Sequence, residues 1–287
     1  MSGRFAPSPT GPLHQGSLVT AIGSYLEAKK RKTPWLLRID DLDGFRSMRG
    51  ARDEIMRSLD AHGLHWDGPV QYQSNRIEVY MEALSNLEEQ DVLFYCNCSR
   101  KLLKNHRVYP GTCRKQRNYQ SDRAIRISTK NRVITCPDQL RGNRSYELET
   151  AFGDFIIVRR DQIISYHLAT AVDDGSPEID HVVRGYDLLH ETPKQQYLME
   201  LLNLRPPEYA HLPVLTDEDG VKLSKRTGAT PVNPKNAKEN WFITLRLLGL
   251  NPPVDAANWE IKELKKWGME AWQLELVPQQ SAMIMDT

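Results

Sequence analysis

Three stretches of the sequence combine residue types and spacings suited to chemistry. The first is GRFAPSPTGPLHQGSL, residues 3–18. Pro7, Pro9 and Pro12 fix φ and remove amide donors, while Gly11 and Gly16 let backbone approach a ligand closely. His14, Gly16 and Ser17 stand where a helix begins, and there free amides and the helix dipole attract an anion. The stretch reads as a phosphate site with His14 donating to a phosphate oxygen. A stiff loop with a solvent-facing histidine has the same composition, so the stretch alone does not decide. The second is VKLSKRTGA, residues 221–229, where Lys222, Lys225 and Arg226 surround Ser224 behind a polar turn. Such a loop can close over a triphosphate and stabilise charge developing during phosphoryl attack. Alone, it also reads as a solvated surface loop. The third is a cysteine cluster: three of four cysteines, Cys96, Cys98 and Cys113, fall within one short basic segment. Four cysteines in 287 residues make no disulfide scaffold, so the cluster points to a metal, with zinc needing one further ligand. By ordinary ligand preference that ligand is His106. Cys136 ends an apolar strand and reads as a core filler.

The elements that must position these groups follow a recognisable order. Residues 3–6 read as a buried strand, and Leu18, Ile22, Tyr25 and Leu26 recur at helical spacing up to a basic stretch at 29–32. PWLLRID (34–40) is a second strand. Strand, phosphate-type loop, helix, strand opens a doubly wound parallel sheet of Rossmann type, an α/β fold. Amphipathic helices are predicted near 50–62 and 75–90. From 94 the chain turns basic, and RAIRIS, RVITC, DFIIVRR and IISYHLA read as antiparallel strands. The expected organisation is a catalytic domain in two halves, 1–93 and 181–230, interrupted by an α+β insertion at 94–180. A short helical region, 231–287, follows, with Trp241, Leu245 and Leu248 on one apolar face. The four tryptophans of that tail, Trp241, Trp259, Trp267 and Trp272, read as packing residues rather than as base-stacking groups.

The bulk composition narrows the classes. A hydrophobic share of 40% suffices for a core, and the net charge of +1 requires local basic patches wherever a nucleic acid is met. The residues around the cysteines, from Arg100 to Arg117, form one such patch. No apolar run approaches the ~20 residues of a membrane span, and the expected location is the cytoplasm.

Four blocks, taken in order, resemble a known family. PSPTGPLHQGS resembles the HIGH signature of the class I aminoacyl-tRNA synthetases in the form used by the glutamyl/glutaminyl branch, and KLSKR resembles its KMSKS partner. RIDDLD (38–43) and VVRGYDL (182–188) resemble two further blocks of that branch. The chain ends soon after KLSKR, which resembles the glutamyl-queuosine tRNA(Asp) synthetases, paralogues that lack an anticodon-binding domain. The resemblance implies ATP, L-glutamate and queuosine-bearing tRNA(Asp) as partners, a monomer, one structural zinc, and magnesium with ATP. It implies glutamate binding by Arg4, Phe5, Ala6, Pro7, Ser8, Asp40, Tyr166 and Arg184. ATP binding falls to Pro7, Gly11, His14, Gly16, Ser17, Lys222, Ser224 and Lys225, with His14 and Lys225 catalytic.

It also places Tyr109 as the fourth zinc ligand beside Cys96, Cys98 and Cys113, against His106. A guanidinium pairs well with a carboxylate, so either Arg184 or Arg4 could select glutamate over glutamine. Two positions depart from the family: Ser17 stands where the general class I pattern has a second imidazole, and Asp40 replaces a glutamate. Three other readings stay open, namely a shortened glutamyl-tRNA synthetase charging the 3′ end, a non-catalytic tRNA-binding paralogue, and a small-molecule nucleotidyltransferase.

Overall fold

A computed structural model describes residues 1–118, 121–223 and 230–284 of the chain. The opening pattern folds as expected: β1 (Ser2–Phe5), α1 (Gln15–Lys30) and β2 (Trp35–Ile39) follow one another, and β1 pairs in parallel with β2, Gly3 against Trp35. His14 caps α1, and Lys29 and Lys30 in its last turn complement the helix dipole. Next come α2 (Ala51–Ala61), β3 (Gln71–Tyr72) and α3 (Ile77–Glu89).

The insertion carries β4 (Leu93–Cys96), α4 (Arg100–Leu103), β5 (Ala124–Ile127), β6 (Val133–Cys136), β7 (Arg144–Glu147), α5 (Leu148–Ala151) and β8 (Phe155–Val158). Strands β4, β5 and β8 form one antiparallel sheet and β6 and β7 a separate hairpin. The chain then returns through α6 (Tyr166–Asp174), β9 (Ile179–Gly185), α7 (Thr192–Leu201) and β10 (Glu208–Leu212). The main sheet has the order β10-β9-β1-β2-β3, every pair parallel. Parallel strands are covered on both faces. This is why the polar side chains that they carry, Arg4, Arg38, Arg184 and His211, are buried.

Two cores result. One lies between the sheet, α1 and the C-terminal helices α8 (Ala237–Leu247) and α9 (Ile261–Ala271), with Trp241, Leu245, Leu248 and Trp272 fully buried. Trp259 and Trp267 pack against its edge. The other joins the insertion to α3, α6 and α7, and Cys136 lies inside it.

Two sequence expectations are corrected. IISYHLA forms no strand: only Ile164 makes a single antiparallel bridge, to Val158 at the end of β8. Ser165 then accepts the Leu168 N–H and caps α6, so this segment is half helix. The C-terminal region is not helical throughout either, because β12 (Ala282–Ile284) pairs in parallel with β11 (Val214–Thr216).

Candidate active site

The C-terminal ends of β1, β2 and β9 and the N-termini of α1 and α6 face one cavity of about 750 Å³. Ligands of open α/β sheets bind at such strand ends. Arg4, Phe5, Ala6, Pro7 and Ser8 all line it, as do His14, Gly16 and Ser17. Asp40, Tyr166, Arg184 and Lys222 complete the expected residues found there. Gly11 does not line it; its φ of 141° is one that other residues rarely adopt. Ser224 and Lys225 lie outside the described residues. On one side of them Leu223 lines the cavity. On the other, Pro231 bridges His14 and Val232 N–H donates to the Leu13 carbonyl at 2.9 Å. Chain remote from His14 in sequence therefore meets the His14 loop in space.

The His14 Nδ1 accepts the Ser17 N–H at 3.3 Å, which leaves the proton of the neutral ring on Nε2. Gly16 makes room for the imidazole, since a Cβ there would sit 3.1 Å from the ring. Lys222 Nζ pairs with Asp187 Oδ2 at 2.5 Å, a partner with no signal in the sequence beyond its place in VVRGYDL.

Below the cavity lies a buried charge network that sequence reasoning missed. Asp174, at the end of α6, takes Arg4 Nε at 3.0 Å and Nη2 at 2.7 Å, and Arg38 Nη1 at 2.7 Å. Burial pushes its carboxyl up, but the two arginines outweigh burial and hold it well below its ordinary value. Arg38 Nε also donates to Asp40 at 2.7 Å. Burial raises the Asp40 carboxyl despite that contact. The neighbouring Asp173 takes Arg76, Gln73 and Tyr80. Only RIDDLD and the Asp173–Asp174 pair could have hinted at this.

The two candidate arginines therefore differ. Arg4 has its charge matched by Asp174, whereas Arg184 has no carboxylate within 4 Å among the described residues. Arg184 Nε donates to His211 Nε2 at 3.0 Å and Nη2 to the Thr192 hydroxyl at 2.8 Å. Its Nη1 is buried without a partner. A buried, charge-uncompensated donor is costly unless a ligand completes it.

A second cavity of about 690 Å³ shares Ser8, Thr10, Asp40, Arg46 and Tyr166 with the first and runs towards the insertion. Arg100, Arg107, Arg126 and Arg159 line it. Not all of the basic patch is available to a partner. Arg114 is tied to Asp154 and Glu149, and Arg117 to Asp91 and the Leu93 carbonyl.

Cys96, Cys98 and Cys113 bring their sulfurs within 4.8 Å of one another. Cys98 and Cys113 are 3.6 Å apart, and the Tyr109 oxygen lies 3.5 Å from the Cys96 sulfur and 3.9 Å from that of Cys98. Tetrahedral zinc with Zn–S bonds of ~2.3 Å sets its ligands ~3.7 Å apart, so the donor set fits that ion. His106 is exposed and no part of the group. Phe94 stacks on the Tyr109 ring, and Arg126 lies over it at 4.1 Å.

Residues 1–251 match the family described as tRNA synthetases class I (E and Q), catalytic domain. A glutamyl-Q tRNA(Asp) synthetase of Methylococcus capsulatus is 42% identical over 279 residues, covering 96% of this chain and 92% of its own. Its counterpart in Pseudomonas fluorescens is 42% identical over 277 residues, with coverage of 96% and 93%. The chain belongs to the class I tRNA synthetases, in the glutamyl-Q tRNA(Asp) synthetase branch. A solved glutamate tRNA ligase of Elizabethkingia meningosepticum in complex with its amino acid superposes with a TM-score of 0.79 at 26% identity. It is matched over 98% of this chain but 66% of its own length, just under two thirds. No helix among the described residues is long and apolar enough to cross a membrane.

Proposed function

We propose that this chain activates glutamate with ATP and transfers it to the queuosine base in the anticodon of tRNA(Asp). The observation that carries the glutamate assignment is Arg184, a buried guanidinium with an unpartnered Nη1 and no carboxylate of its own. A substrate side-chain carboxylate completes it, and a neutral amide would leave the charge unmatched. Arg4, already paired with Asp174, shapes the pocket wall instead. Asp40 receives the α-ammonium, with Phe5, Ala6, Pro7, Ser8 and Tyr166 enclosing the substrate.

ATP lies along Pro7, Gly16 and Ser17, against the α1 N-terminus, while Gly11 shapes the loop rather than the cavity wall. The glutamate α-carboxylate oxygen attacks the α-phosphorus in line, forming the mixed anhydride as the bond to the bridging oxygen breaks and pyrophosphate leaves. His14, through Nε2–H, and Lys225 meet the negative charge that grows on the phosphate oxygens, with Lys222 and Ser224 beside them. Magnesium arrives with ATP, held mainly by its phosphates. A queuosine ring hydroxyl then attacks the glutamyl carbonyl. AMP leaves, and its departing phosphate oxygen takes the hydroxyl proton. A base in an anticodon loop is readily splayed out, and the second cavity, with Arg100 and Arg107, is the route by which it reaches the adenylate. Cys96, Cys98, Cys113 and Tyr109 would hold a structural zinc, which would tie β4 to the loop that lines this route. The same reading takes the protein to be a cytoplasmic monomer.

The likeness to glutamate tRNA ligases favours one rival, transfer to the 3′ end of a tRNA. Charging with glutamate is compared on tRNA(Asp) with and without queuosine and on tRNA(Glu). Acceptance by the queuosine form alone is expected. Equal acceptance with and without queuosine, or acceptance by tRNA(Glu) alone, refutes the proposal.

A further inference from the structure

We propose that Asp138 and His211 form a relay that sets the orientation of Arg184 and so fixes the preference for glutamate. The relay rests on the assignment of Arg184 to the substrate carboxylate. Its geometry starts at the edge strand. Residues 138–141 follow the β6 strand of the insertion and lie along β10: Asp138 bridges Tyr209, and Gln139 N–H donates to the Tyr209 carbonyl at 2.9 Å. Arg141 Nε donates to the His211 carbonyl at 2.8 Å. The Asp138 side chain divides its two oxygens. Oδ1 accepts the N–H groups of Leu140 and Arg141, at 2.9 and 2.8 Å, while Oδ2 meets His211 Nδ1 at 2.5 Å.

His211 is fully buried in the neighbourhood of two cations. Arg184 can only donate from Nε, so His211 Nε2 must accept and the ring proton must sit on Nδ1 against Asp138. Burial lowers His211 to about 4, which keeps the ring neutral and its acceptor available. The guanidinium is held from a third side by Tyr209, whose ring lies 4.9 Å away and stacks on His211. With Nε and Nη2 committed to His211 and Thr192, Nη1 alone is left for a ligand. The aspartate of the insertion thus acts at the amino-acid pocket through one imidazole.

Asp138→Asn separates the relay from the loop. An asparagine Oδ1 still accepts from Leu140 and Arg141, but its NH₂ faces His211 Nδ1 and drives the ring proton to Nε2. Two donors then oppose each other at Arg184. His211→Phe removes the acceptor, and His211→Gln restores one at the place of Nε2. Glutamate-driven ATP–pyrophosphate exchange without tRNA is measured on the full chain.

The glutamate KM is expected to rise on the order of tenfold in Asp138→Asn and His211→Phe, the loss of one charge-assisted hydrogen bond. The ATP KM should stay within twofold, and the selectivity for glutamate over glutamine should narrow. His211→Gln should stay near wild type. An unchanged glutamate KM in Asp138→Asn, or equal rises for ATP and glutamate, overturns the relay while leaving Arg184 in place. If His211→Phe fails to fold, Asp138→Asn and His211→Gln decide alone. A wild-type protein showing no exchange with glutamate overturns the functional assignment, and the relay falls with it.

Discussion

Replacing Arg184 by glutamine is the substitution whose effect the structure specifies most fully. The side chain is 2% exposed, and its Nη1 has no protein partner. A glutamine can still offer an amide N–H to His211, at the place of the arginine Nε, but falls short of Thr192 and brings no charge to the pocket. Hydrogen bonds to charged groups contribute about 1.5–3 kcal/mol each. Losing one such bond lowers kcat/KM for glutamate by roughly 10- to 150-fold. The same loss falls on the ratio of glutamate to glutamine, because a neutral site no longer distinguishes carboxylate from amide by charge. ATP–pyrophosphate exchange with each amino acid, without tRNA, measures both. Arg4→Gln is the contrast. It leaves Asp174 with Arg38 as its remaining cation, so it should cost about 3 kcal/mol of stability with a smaller change in selectivity. If Arg184→Gln keeps kcat/KM within threefold while Arg4→Gln abolishes discrimination, the assignment of the two arginines is wrong.

Further outcomes follow from the other contacts. His14→Ala should lower kcat for exchange on the order of a hundredfold, as loss of one transition-state donor does, and shift the KM for ATP little; an unchanged kcat would remove His14 from the chemistry. Elemental analysis should find one zinc per chain, and Cys98→Ser should release it and lower the Tm, whereas a metal-free wild type contradicts the site. Asp174→Asn leaves Arg4 and Arg38 under-compensated and should cost about 3–5 kcal/mol in urea unfolding. Burial holds His167 and His211 to about 4 against an ordinary 6.5. Between those values the unfolded chain binds more protons, so stability should rise with pH across that window, by up to roughly 1.4 kcal/mol per pH unit for each histidine. Asp174, held below its ordinary value, adds stability that disappears as pH falls through the acid range. Flat stability between pH 4.5 and 6.5 would contradict the buried neutral rings.

The groups legible in the sequence were those that local pattern dictates. Prolines and glycines around His14 specify a loop before a helix whatever the rest of the chain does, and Cys96, Cys98 and Cys113 lie close enough along the chain to imply a shared ion. Ranking Arg4 against Arg184 was not legible, because what separates them is Asp174, which lies 170 residues from Arg4. The choice between Tyr109 and His106 had the same character: residue type favours the histidine, but the loop turns the phenol towards the sulfurs. In IISYHLA the apolar run suits either element, and a single hydroxyl, the Ser165 cap, starts the helix. His211 carried no signal at all, since its role depends on an aspartate from another part of the chain.

The measurement that bears most directly on the whole account uses queuosine-bearing tRNA(Asp) from which the 3′-terminal adenosine has been removed. Radiolabelled glutamate and ATP should still label this RNA to the level of the intact molecule, and the label should map to the anticodon stem-loop after nuclease cleavage. Labelling that disappears with the terminal adenosine would place the transfer at the 3′ end and contradict the account.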